Sequence, residues 1–118
     1  MKRDDDYLRE LLFEFEKQPD WLISVIDTVA ISNDEEGQKK AGHVRLLCDA
    51  GFLTAVGKGT FRLTNSGHDY LEAIRSDTVW NKTKSGAAKV GGMTLGMMKD
   101  LALAYLKQEA AEKLGIDL

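Results

Sequence analysis

Leu8, Leu11, Leu12 and Phe15 recur three and four positions apart within DDDYLRELLFEFEK, the spacing of one helix face, and Tyr7 widens the stripe. This predicts a helix over residues 4–17. Asp4 stands where an N-cap oxygen is needed, Asp5 and Asp6 fall where the positive end of the helix dipole favours anions, and Pro19 ends the run. The following WLISVIDTVAIS (21–32) is rich in β-branched residues and bounded by turn formers. It reads as one short strand running into an irregular segment.

A second helical pattern starts near Glu35, capped by Asn33 or Asp34, with Ala41, Val44, Leu47 and Cys48 on one face. Gly37 and Gly42 weaken it by about 1 kcal/mol each relative to Ala, and Gly51 suits the left-handed position after a helix end. The period then changes from helical to alternating. FLTAV and TFRLT flank Gly-Lys-Gly, which predicts a hairpin over 52–64. Thr64 can cap a helix packing through Tyr70, Leu71 and Ile74. Another helix over 76–92 is capped by Ser76 or Asp77, anchored by Val79 and Trp80, and stopped by Gly91-Gly92. A last one begins after Thr94, with Leu95, Met98, Leu101, Ala102, Tyr105 and Leu106 as its stripe and Gly115 as its stop.

The order is helix, short strand, helix, strand, turn, strand, helix. We read it as an α+β chain, mostly α: a winged-helix domain at residues 1–75 and a C-terminal helical extension at 76–118. Residues 35–50 would be the recognition helix and 52–64 the wing. Little room is left before residue 35 for the separate second helix of a helix-turn-helix. That helix is expected as one turn or none, a degenerate arrangement that counts against standard major-groove docking.

Composition narrows the function. The chain has 118 residues, 43% hydrophobic and 30% charged, with a net charge of −3, which fits one globular core and argues against a wholesale polyanion binder. The charge is uneven: residues 1–36 carry 11 acids and 4 bases, residues 37–118 carry 12 bases and 8 acids. A positive face on an acidic protein is therefore expected. A single cysteine excludes an internal disulfide and a zinc thiolate cluster. The N-terminus lacks the apolar run of a signal peptide, and no 18-residue apolar window exists, so a cytoplasmic protein without membrane spans is expected.

The run RLTNSGHDYLEAIRSDTVWNKTK, preceded by HVRLLCDAGFL, resembles a family of uncharacterised bacterial and prophage proteins, the domain of unknown function numbered 2513. MKRDDDYLRELL resembles that family's opening and GGMTLGMMKDLALAYLK its closing helix. The resemblance implies a bacterial or phage origin and a winged-helix-like fold, and nothing further about function.

Lys39, Lys40, His43 and Arg45 on the second helix, with Lys58 and Arg62 on the hairpin, are the candidate contacts to double-stranded DNA. The bland reading makes them a solvated face, with His43 hydrogen-bonded at the edge of the core. His68 beside Asp69 invites a catalytic reading, but the two side chains diverge on a helix and no nucleophile accompanies them. Cys48 lies poorly for pairing with His43 and reads as a small buried thiol. SGAAKVGGMT lacks the glycine-lysine pattern of a phosphate loop. The expected function is DNA binding, as a phage or prophage transcriptional regulator, with no enzymatic activity, cofactor or metal. The alternative is a protein–protein adaptor that keeps the scaffold without DNA contact. The last helix's stripe, if not covered by its own domain, predicts a homodimer through that helix.

Overall fold

The structure, a computed structural model, describes residues 1–24 and 34–118. Those residues form a mostly helical α+β chain of five helices and one three-stranded antiparallel sheet. In chain order these are α1 (Asp5–Glu16), β1 (Ile23–Ser24), α2 (Glu35–Asp49), β2 (Leu53–Gly57), β3 (Thr60–Leu63), α3 (Asn65–Ala73), α4 (Asp77–Lys89) and α5 (Leu95–Leu114). They divide into two compact units, residues 1–68 and residues 69–118.

In the first unit, the anticipated cap forms: Asp4 accepts the Tyr7 N–H at 3.0 Å, and Leu8, Leu11, Leu12 and Phe15 are the buried face of α1. Asp34 caps α2 by accepting the Glu36 N–H. The end of α2 explains why helix and hairpin follow each other without a linker. Gly51, at φ +82°, donates its N–H to Cys48 O, and Phe52 donates to Leu47 O at 2.8 Å. This paired closure satisfies the last carbonyls and turns the chain directly into β2, with Phe52 and Leu47 both buried.

The hairpin pairs Leu53 with Leu63, Thr54 with Arg62 and Ala55 with Phe61, then slips at a bulge before Gly57 meets Thr60. The sheet order is β1-β3-β2. The chain bends at residues 18–21 after α1, and among the described residues Ile23 and Ser24 pair with β3, opposite Phe61 and Thr60. Trp21 and Leu22 stay exposed. The remainder of the predicted segment 21–32, and the place where a second helix of a helix-turn-helix would stand, fall largely on residues 25–33, outside the described residues.

In the second unit, Ser76 caps α4 by accepting the Val79 N–H, and Thr94 caps α5 by accepting the Met97 N–H. Val79, Trp80, Thr83 and Ala87 are buried along one side of α4. α4 packs against α5, whose stripe is only partly covered: Leu95, Met98 and Ala102 are buried, while Leu101, Tyr105 and Leu106 are half-buried. Among the described residues no helix is long and apolar enough to cross a membrane.

Candidate nucleic-acid interface

The six candidate DNA contacts do not share one fate. His43 is turned inward and is 2% exposed. Its Nε2 accepts the backbone N–H of Asp4 at 3.0 Å, and its Nδ1 lies 2.8 Å from the carbonyl of Lys39. An acceptor at one ring nitrogen and a carbonyl at the other define a neutral imidazole with its proton on Nδ1. The ring of Tyr7 stands edge-on to it, centroids 4.9 Å apart. His43 is therefore a bolt between the start of α1 and the middle of α2.

Lys39 and Lys40 are also engaged by α1. Lys39 Nζ lies 3.2 Å from Asp4 Oδ2 and 4.4 Å from the centroid of the Tyr7 ring. Lys40 Nζ lies 3.0 Å from Glu14 Oε1. Both pairs are partly exposed, so each adds only a few tenths of a kcal/mol to stability, yet together they neutralise the bases that a groove-binding helix would present. The exposed residues of α2 are Glu35, Glu36, Arg45 and Asp49, three acids and one base.

Arg45, Lys58 and Arg62 are exposed. Lys58 sits in the hairpin turn, and Arg62 on β3 reaches back to Leu63 O at 3.4 Å. They lie on α2, in the hairpin turn and on β3.

Asp4 is the hub of the α1–α2 seam: cap, ion-pair partner and backbone donor at once. Its carboxyl is held below the ordinary carboxylate value, first by the Tyr7 N–H, against the opposing effect of burial, and then by Lys39. A depressed folded-state pKa contributes stability at pH above about 4, the unfolded value, and loses it as pH falls through the folded value. Asp4→Asn keeps a capping oxygen but removes the charge. The stability gap between wild type and this variant is expected to be widest near neutral pH and to close at the acid end of the range. Urea midpoints measured at both ends check this, and a gap independent of pH contradicts it.

Among the described residues, Cys48, His68 and Asp69 are the remaining reactive side chains the sequence singles out. Burial, and then the Asp49 carboxylate, push the Cys48 thiol up, which disfavours the thiolate needed of a nucleophile. Asp69 is exposed, and His68 is half-buried with its Nε2 buried and without a hydrogen-bond partner among the described residues. No group of three or more His, Cys, Asp or Glu side chains gathers into a metal site among those residues. His68 invites pairing with its chain neighbour Asp69, but its ring stands beside that of Trp21, centroids 5.8 Å apart.

The family described as "Hypothetical protein (DUF2513)" matches residues 2–94, and the chain belongs to it. The chain is also 30% identical over 120 residues to an uncharacterized protein of Haemophilus influenzae, across 94% of this chain and all of that protein. No solved structure matches.

Proposed function

We propose that this member of the DUF2513 family is a non-enzymatic protein-interaction adaptor on a winged-helix scaffold. The order α1-β1-α2-β2-β3-α3 with the sheet β1-β3-β2 supports the scaffold. The observation that carries the adaptor reading is the charge on α2. Its lysines are taken up by Asp4 and Glu14, its histidine is buried, and its exposed positions are acidic on balance. Carboxylates presented to a duplex repel its phosphates. A second copy of the chain is one candidate partner, since part of the α5 stripe stays uncovered and Met97 is 49% exposed.

DNA binding is the second reading, and exposed Arg45, Lys58 and Arg62 favour it. Salt dependence separates the two. A protein neutralising several phosphates binds random duplex at low salt, with a log–log slope of about −0.9 per contact. The adaptor reading expects no such binding in an anisotropy titration. Tight binding at low salt overturns it, most directly if Lys39→Ala with Lys40→Ala reduces the slope by about 1.8, the share of two phosphate contacts.

A further inference from the structure

A cleft of about 360 Å³ opens where α1 ends and β1 begins. Its floor is apolar, made by Phe15, Ile23 and Leu63, all buried. Glu16 and Asp20, both exposed, also line it. Trp21 stands over it at 80% exposure, unusual for the largest apolar side chain, with its ring tilted 59° to that of His68. His68 also lines the cleft. The helix adds its own charge: α1 points the negative end of its dipole here, and its last turn holds no basic residue. Lys17, at the cap, lines the adjacent groove rather than this cleft.

We propose that this cleft recognises a guanidinium group, the side chain of an arginine presented by a partner protein. The partner is supplied by the adaptor reading, on which this inference rests; the chemistry of the cleft is its own. Each feature selects against a different rival. The two carboxylates and the helix end repel anions. A purely apolar ligand gains nothing from the two carboxylates. An ammonium is a compact, strongly hydrated point charge, poorly suited to an aromatic face and an apolar floor. A guanidinium is flat, weakly hydrated and carries donors around its edge. It can lie against the exposed Trp21 ring and donate to Asp20 or Glu16. Its methylene stem covers Phe15, Ile23 and Leu63.

The test is an NMR titration of the full chain with N-acetyl-arginine amide, followed at the Trp21 indole N–H and the His68 ring. Saturable shifts at both are expected. N-acetyl-citrulline amide, the uncharged isostere, should bind about tenfold or more weakly, the usual loss when a charge-assisted hydrogen bond goes. Trp21→Ala should weaken binding about two- to fivefold, the worth of an exposed cation–π contact. Because Trp21 is already in solvent, that variant keeps its fold, and its backbone spectrum verifies this. No saturation, equal binding of citrulline or N-acetyl-lysine amide, or undiminished binding by Trp21→Ala overturns the assignment. The duplex titration fails or succeeds independently, so a failed adaptor reading and a failed cleft are told apart.

Discussion

Gly67→Ala is expected to destabilise the first unit by about 3 kcal/mol, the upper end of what overpacking costs. A Cβ built on Gly67 lies 2.2 Å from the carbonyl oxygen of Phe52 and 3.0 Å from its carbon, both backbone atoms. The backbone at Phe52 has little freedom to withdraw. Its N–H closes α2 on Leu47 O, and its carbonyl accepts the Thr64 N–H at 3.0 Å. Thr64 also donates its hydroxyl to Gly51 O and accepts the Gly67 N–H at 3.0 Å. The end of α2, the start of β2 and the first turn of α3 thus meet in one hydrogen-bonded knot with no space for a methyl group. Gly51→Ala is the control. Nothing lies within 4 Å of its added Cβ, but its φ of +82° is costly for any residue with a side chain. It should lose about 1–2 kcal/mol, from conformation alone. Urea unfolding followed by circular dichroism ranks the two. An unchanged midpoint for Gly67→Ala contradicts the steric argument.

That knot also shows which parts of the fold were legible in the sequence. Caps, stops and period changes are local signals, and Asp4, Asp34, Gly51, Thr64, Ser76 and Thr94 act where those signals place them. The crowding of DAGFL and RLTNSGH follows from local chemistry too, since each glycine and threonine there satisfies a neighbouring backbone group. The candidate site was far less legible, because its decisive partners are distant. The stripe Ala41, Val44, Leu47 does not include His43. Its burial depends on an N–H brought from Asp4, 39 positions away. Lys39 and Lys40 look like groove-facing bases until Asp4 and Glu14 are placed beside them, 35 and 26 positions away. Likewise, the β-branched run bounded by turn formers marks Trp21 as part of a strand, whereas in the structure it stands in solvent beside His68, a residue distant in the chain.

Trp80→Ala should be the most damaging change in the second unit, at about 3–5 kcal/mol, the usual loss for deleting a buried large aromatic. The residue is 2% exposed, and the positions that share its side of α4 are equally enclosed: Val79 at 1% and Thr83 at 0%. Thr83 donates its hydroxyl to Val79 O at 2.7 Å, so even the polar member of that face is satisfied within the helix. Since domains are stable by only about 5–15 kcal/mol, the variant should be mostly or marginally folded depending on temperature. The two tryptophans make the premise independently testable. Trp21 is 80% exposed, so the single-tryptophan variant Trp21→Phe isolates the emission of Trp80. That emission should be blue-shifted and resistant to iodide. Iodide quenching comparable to that of a free indole would show Trp80 in solvent and remove the basis for the predicted loss.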